Sequence, residues 1–153
     1  MAQHSYALVP FRRVDGRLEV LIGHMGGPFW AHKDEHAWSF PKGLPESDDA
    51  DGLATARREF AEELGIVAPT EGFTELGEVK QSGGKVVTAW AVETDLDITR
   101  FNPGTFELEW PPKSGRMQEF PEVDRIAWVR VDEAERLLVK AQCDFLLRLS
   151  PPP

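Results

Sequence analysis

Short runs of aliphatic and β-branched residues mark the predicted strands of this chain. The first two runs, residues 5–11 and 18–25, flank an Asp-Gly pair, a combination typical of a β-hairpin. Two further runs, 73–81 and 85–93, flank a Gly-Gly pair and predict a second hairpin. Residues 26–37, rich in glycine, aromatic and histidine residues, follow neither a strand period nor a helical one, and we expect a loop there.

Apolar residues recur at helical spacing from Asp51 to Leu64. The steps of three and four residues place on one stripe Leu53, Ala56, Phe60 and Leu64. The start of this helix can be capped by any of three aspartates: Asp48, Asp49 or Asp51. Gly65 is a natural C-terminal stop. Residues 37–40, upstream of the helix, predict a short strand that ends at a proline.

The C-terminal third of the chain predicts a connection, a strand and two helices. Residues 106–124 are polar and contain prolines, which favours an irregular connection, and 125–131 predict another strand. Asp132 is the expected N-cap of a helix, and 144–150 predict a last helical piece. Strands with helices between and after them indicate an α+β fold in which a mixed sheet lies between helices.

We expect one domain over residues 1–150, followed by a frayed proline tail at 151–153. A chain of 153 residues is long enough to bury a core without disulfides or metal staples. No internal repeat, linker or low-complexity segment interrupts the pattern before that tail.

Three acids of the predicted helix share a face. Glu59, Glu62 and Glu63 are spaced by three and four residues, so their carboxylates lie together beside the apolar stripe. Three like charges repel, and a hard divalent cation such as Mg²⁺ or Mn²⁺ relieves that repulsion through oxygen ligands. A solvated acidic face is the ordinary alternative for such spacing, and the flanking sequence has to decide between the two.

The flanking sequence resembles the Nudix box. "RREFAEELGI", residues 57–66, fits the family's Arg-Glu-apolar-x-Glu-Glu-x-Gly-apolar pattern, and "WSFPKG", residues 38–43, fits the strand and turn that precede it in many Nudix hydrolases. Gly43 lies fifteen residues before Arg58, one more than in the family, and Ala50 stands where the family has a glutamate. We interpret this as a one-residue insertion, with Asp49 or Asp51 near the usual Glu in a box that runs from Gly43 to Ile66.

The resemblance implies a Nudix-type α/β/α sandwich and a Mg²⁺- or Mn²⁺-dependent hydrolase of phosphoric anhydride bonds. It implies that the metal ligands are Glu59, Glu63, Glu62 (directly or through water) and the Gly43 carbonyl. Arg58 is expected to hold the glutamates by ion pairing. The general base is either a box glutamate or a loop acid; Glu119 is the first choice, with Glu107, Glu109 and Glu122 as alternatives.

Substrate contacts are expected from side chains that flank the box. Trp30 is a candidate for stacking a nucleobase, and phosphate contacts are expected from Lys42, Lys113 and Arg116. Three histidines around the same loop lack ligand spacing and are expected to be surface or hydrogen-bonded residues: His24, His32 and His36.

The pattern of the box and of "FPEVDRIAWV" is similar to Nudix hydrolases of dinucleoside polyphosphates. The enzyme alternatives are ADP-ribose, nucleoside triphosphates and RNA 5′ ends. Two non-enzymatic alternatives are a nucleotide-binding sensor of the same fold and an adaptor that docks through the acidic helix.

Composition limits the partners and the compartment. The net charge of −9 and the pI near 4.9 argue against a surface that binds nucleic acid. A small nucleotide is the expected partner. Cys143 is the single cysteine, so no intrachain disulfide forms. Neither a signal-like pattern nor a membrane-length apolar run is present, which predicts a cytoplasmic protein, either a monomer or a homodimer.

Overall fold

The first hairpin lies in the interior of the sheet that carries the site. The structure, a computed structural model, describes residues 3–149. Strand β1 (His4–Val14) and strand β2 (Arg17–Met25) pair antiparallel, as the sequence predicts. Asp15 and Gly16 join them at φ of 52° and 77°, the left-handed backbone that a two-residue hairpin turn requires. The proline tail predicted at 151–153 lies outside the described residues.

Seven strands form a mixed sheet. Besides β1 and β2, the strands are β3 (Trp38–Ser39), β4 (Lys42–Gly43), β5 (Phe73–Lys80), β6 (Val86–Glu93), β7 (Thr105–Glu109), β8 (Met117–Pro121) and β9 (Val123–Arg130). All of these except β7 and β8 belong to the mixed sheet, whose main order is β3-β2-β1-β6-β5, with β4 beside β1 and β9 beside β2. Strands β1 and β6 run parallel, whereas the other pairs are antiparallel. The predicted mixed sheet is therefore confirmed.

Helices cover both faces of the sheet. The helices are α1 (Gly52–Leu64), α2 (Val131–Leu137) and α3 (Cys143–Arg148). On one face, Phe60 and Leu64 of α1 pack with Leu8 and Leu21, and Ala56 joins the same cluster. Successive strand residues point to opposite faces, so Val9 and Ile22 bury against α2 and α3 instead. This is the α/β/α sandwich that the Nudix resemblance implies.

Helix α1 begins and ends where the sequence predicts. Of the three candidate aspartates, Asp51 is the N-cap, and its carboxylate accepts from the Ala54 amide at 2.8 Å. Gly65 closes the helix at φ 67° and donates to the Ala61 carbonyl. Phe60 of α1 is fully inaccessible to solvent, and its burial stabilises the packing of the helix on the sheet by about 2–3 kcal/mol.

Two local predictions were wrong. Residues 106–124 are not an irregular connection, because β7 and β8 pair there as a two-stranded hairpin. Asp132 lies inside the first turn of α2, after Arg130 at the N-cap position, and accepts from the Glu133 amide. The short strand predicted at 37–40 is present, but it comprises only Trp38 and Ser39. Among residues 3–149, no helix is both long and apolar enough to span a bilayer.

Candidate active site

Gly43 brings the strand before the box against the acidic helix. Strand β4 pairs with β1, placing Gly43 opposite Tyr6. The Glu59 side chain lies so close to the Gly43 backbone that a Cβ at this position would overlap its carboxylate. The absence of a Cβ at Gly43 therefore allows the box turn and the Glu59 carboxylate to approach each other closely.

Arg58 ties the loop before α1 to the helix acids. Its Nε and Nη2 each donate to one oxygen of Asp49, both at 2.9 Å. Its Nη1 donates to Glu59 at 3.0 Å and to Glu62 at 3.1 Å, as the predicted ion pairing requires. These bonds, led by the Asp49 pair, raise the pKa of Arg58, and the guanidinium holds the pKa of Asp49 well below its usual range.

Asp49 therefore supports Arg58 from the loop before α1. It also accepts from the Thr55 hydroxyl at 2.9 Å and from the Glu46 amide at 2.8 Å. Asp51 instead caps the helix. The two aspartates of the loop thus have two separate tasks, and the one-residue insertion inferred from the box pattern stays a prediction.

Glu63 is the deepest of the helix acids. Its Oε1 accepts from the Lys42 amide at 3.2 Å, which fixes the box turn to the helix. Burial raises the pKa of the Glu63 carboxyl to about 8, and the charges of Glu122 and Glu59 push in the same direction. Burial likewise lowers the pKa of the Lys42 ammonium, although Glu63 partly opposes that shift. At this buried position the charged forms of Glu63 and Lys42 are therefore each more stable beside an opposite charge than alone.

Glu122 joins the acidic cluster from outside the box. Its backbone amide donates to Gly104, whose own amide donates to the Glu62 carbonyl, and its carbonyl accepts from Gly26. Gly26 has no Cβ, and one there would overlap the Pro121 carbonyl. Partial desolvation and the charge of Glu62 raise the pKa of Glu122. The carboxylates of Glu59, Glu62 and Glu63 and that of Glu122, the residue directly before β9, thus form a cluster within electrostatic reach of one another.

Glu119, Lys113 and Arg116 lie on the β7–β8 hairpin. Glu119 is exposed and pairs across that hairpin with Glu107. Lys113 and Arg116 are exposed in the turn at its tip, where Lys113 has a φ of 62°. The geometry therefore favours Glu122 over Glu119 as the loop acid of the site, because Glu122 is the one whose charge reaches the helix glutamates.

A cleft opens beside the carboxylates. A cavity of about 280 Å³ is lined by Trp30, Lys42, Glu63, Phe106 and Glu122, among others. A neighbouring cavity of about 560 Å³ shares Trp30 and Lys42 with it. Trp30 and Lys42, which the sequence offers as substrate contacts, thus line both cavities, and Glu63 and Glu122 line the smaller one.

Sequence reasoning missed the far wall of this cleft. Lys85, Lys140 and Gln142 line the larger cavity, and Lys85 is close enough to lower the pKa of Lys42. None of the three cleft lysines forms an ion pair within residues 3–149. They belong to separate strands and turns far apart in sequence, so no local motif signals them.

The helix acids fit a hard divalent cation in their chemistry. In the described part of the chain, no group of three or more His, Cys, Asp and Glu side chains is placed so that it could hold a metal ion. Glu59 and Glu62 each accept from Arg58 through one oxygen, and Glu63 accepts from the Lys42 amide through one oxygen. Within residues 3–149, the second oxygen of each carboxylate accepts no hydrogen bond from the protein. Carboxylate oxygens that repel one another are the donors that suit Mg²⁺ or Mn²⁺, which typically keep several waters.

Comparisons with known proteins agree with this architecture. The NUDIX domain model matches residues 2–149. The NUDIX domain of Shewanella oneidensis NrtR, solved with ADP ribose, superposes with a TM-score of 0.65 at 17% identity, covering 97% of this chain and 86% of that one. A C. elegans Ap4A hydrolase binary complex superposes with a TM-score of 0.63 at 20% identity, covering 97% of this chain and 95% of that one. The M. smegmatis Nudix hydrolase RenU superposes with a TM-score of 0.59 at 19% identity, covering 97% of this chain and 84% of that one.

At these identities the structural likenesses show the fold alone, and no curated protein matches the chain. The family model carries the assignment, because it spans nearly all of the sequence. The chain belongs to the NUDIX domain family, and it is a hydrolase that acts on pyrophosphate bonds.

Proposed function

We propose that this protein is a Mg²⁺- or Mn²⁺-dependent pyrophosphohydrolase of nucleoside diphosphate-linked substrates, with a dinucleoside polyphosphate as the preferred substrate. One observation carries the proposal. The four-carboxylate cluster and the lysine-lined cleft share a wall at Lys42, so a cation site and an anion site adjoin. A long phosphate chain needs both sites. The cation site lets its reacting link approach carboxylates that would repel it without a bound cation, and the anion site binds the remaining phosphates.

The helix acids have the metal-binding role in this proposal. Glu59, Glu62 and Glu63, with the Gly43 carbonyl, would hold the cation, and Arg58 keeps the first two in place. The bound cation supplies neutralisation of charge on phosphoryl oxygens and a lower pKa for an attacking water. Glu122 accepts a proton from that water, since its carboxyl faces the same cluster and its raised pKa brings it closer to neutral pH.

The cleft has the substrate-binding role. Lys42, Lys85 and Lys140 surround the larger cavity and offer three cationic contacts to phosphates beyond the reacting link. Trp30 is half-buried between the two cavities and can stack a nucleobase, a contact worth roughly 1–3 kcal/mol. The Lys113 and Arg116 contacts remain predictions, and the hairpin tip where they lie is outside both cavities.

A substrate panel tests the proposal. Purified protein with Mg²⁺ is given dinucleoside polyphosphates of three to six phosphates, ADP-ribose, nucleoside triphosphates and short triphosphorylated RNA, and the products are resolved by chromatography. We expect the highest kcat/KM on a dinucleoside polyphosphate. A higher kcat/KM on ADP-ribose or RNA would reject the substrate class. Tight nucleotide binding without hydrolysis of any substrate would indicate a sensor instead.

A further inference from the structure

A buried histidine connects two walls of the cleft. His24 of strand β2 is fully inaccessible to solvent. Its Nδ1 lies 3.0 and 3.1 Å from the two carboxylate oxygens of Asp124, and its Nε2 lies 2.6 Å from the Lys33 carbonyl oxygen. An ionised carboxylate and a carbonyl are acceptors only. Each ring nitrogen therefore faces an oxygen acceptor, the Asp124 carboxylate at Nδ1 and the Lys33 carbonyl at Nε2.

The Nε2 bond fixes the loop that carries Trp30. Lys33 lies in the irregular segment 26–37, and its amide donates to the Trp30 carbonyl at 3.0 Å. Its ammonium also lies 5.2 Å from the centre of the Trp30 ring. Because the Lys33 carbonyl is anchored in the core, the aromatic wall of the cleft is anchored with it.

The Nδ1 bond fixes the start of β9, the strand that directly follows Glu122. Asp124 follows Glu122 by two residues at the start of β9, and its carboxylate also accepts from Arg125 at 3.3 Å. Pairing of β2 with β9 changes register between His24 and Met25, directly beside this bond. The side-chain bond therefore holds the strand at a place where the backbone ladder is irregular.

We propose that His24 is a positioning residue that sets the Trp30 loop through Nε2 and the strand after Glu122 through Nδ1. This inference rests on the proposed function, because it assigns Trp30 to substrate binding and Glu122 to proton transfer. An ordinary core histidine would stabilise the domain as a whole. The two bonds of a positioning residue hold different parts of the site. Loss of one bond should therefore impair substrate binding, and loss of the other should impair turnover.

Two substitutions separate the two bonds. In His24→Gln the amide nitrogen reaches the place of Nε2 and keeps the Lys33 bond, whereas in His24→Asn it reaches the place of Nδ1 and keeps the Asp124 bond. We expect His24→Asn to raise KM by about five- to tenfold with a smaller change in kcat, the effect of one lost hydrogen bond. His24→Gln should instead keep KM and lower kcat. His32→Gln, an exposed substitution in the same loop, is the control and should match the wild type.

Two measurements do not depend on turnover. Hydrogen exchange of the 27–37 amides should quicken in His24→Asn and remain slow in His24→Gln. Hydrogen exchange of the 123–126 amides should instead quicken in His24→Gln and remain slow in His24→Asn.

Equal changes of KM, kcat and amide exchange in the two variants would overturn the inference. If the wild type hydrolyses no nucleotide, the proposed function fails, and the two exchange measurements still decide whether His24 anchors the loop and the strand separately.

Discussion

Arg58 and Asp49 form a two-point ion pair, in which Nε and Nη2 of the guanidinium each donate to one carboxylate oxygen at 2.9 Å. This pair lies between the lengthened loop and the acidic helix. It orients the remaining nitrogen of Arg58 toward Glu59 and Glu62, so the loop controls the geometry of two predicted metal ligands.

Asp49→Ala should therefore lower both the melting temperature and the activity. The variant leaves Arg58 without its bidentate partner, and a freed guanidinium competes with the cation for Glu59 and Glu62. Differential scanning fluorimetry and initial rates at several Mg²⁺ concentrations measure the two effects. Asp48→Ala, an exposed neighbour in the same loop, is the control and should behave like the wild type. Equal behaviour of the two variants would contradict this role for Asp49.

Glu59→Gln and Glu63→Gln should each fold normally and lose most of the metal-dependent turnover. A neutral amide keeps the shape of the side chain but removes an anionic ligand. In the wild type, a cation at one hundred times its Kd stabilises the fold by about 2.7 kcal/mol, which appears as a higher melting temperature. This rise should be small in both variants. Wild-type rates in both would reject the assigned ligands.

Glu122→Gln should lower kcat by about a hundredfold or more, the usual contribution of a general base. Glu119→Gln should have little effect, because its side chain is exposed on the β7–β8 hairpin. The pair of variants tests the structural choice between two acids that lie three residues apart. A large loss for Glu119→Gln and none for Glu122→Gln would restore the choice made from sequence.

Lys85→Ala should raise KM for a dinucleoside polyphosphate more than for a nucleoside diphosphate derivative with fewer phosphates. Lys85 lines the larger cavity and can contact only a chain that extends beyond the reacting link. Lys113→Ala, at the hairpin tip, removes one positive charge in the same way and serves as the matched variant. It also tests the phosphate contact predicted for Lys113 from sequence. Steady-state kinetics on two substrates distinguish the two lysines, and equal KM changes would argue against a specific phosphate contact at Lys85.

The metal-free protein should lose stability as the pH rises from about 4.5 to about 8. Glu63 has a pKa raised from 4.5 to about 8 by burial, so between these values the folded state binds more protons than the unfolded state. The stabilising effect of the protonated carboxyl is complete below pH 4.5 and is lost as the pH passes the folded-state value. Urea unfolding in EDTA measures this slope, and Glu63→Gln should make it shallower. A stability that rises over this range in EDTA with no change in Glu63→Gln would contradict the assignment.

Local patterns were sufficient for most of the elements. The Asp-Gly and Gly-Gly hairpins, helix α1 with its caps, and the acidic face beside the apolar stripe all depend on contacts between residues near in sequence. The β7–β8 hairpin was missed because prolines and charges hide its strand character, and its pairing becomes visible only across the turn.

Sequence alone determined the family, the mixed sheet between helices, and the placement of Glu59, Glu62 and Glu63 on one helical face, because helical spacing fixes which side chains are neighbours. Only the tertiary structure decided that Glu122 joins them, that Asp49 holds Arg58, and that Lys85 and Lys140 line the same cleft as Trp30. These residues come from separate elements, and their proximity depends on how the sheet orders its strands, which no local spacing encodes.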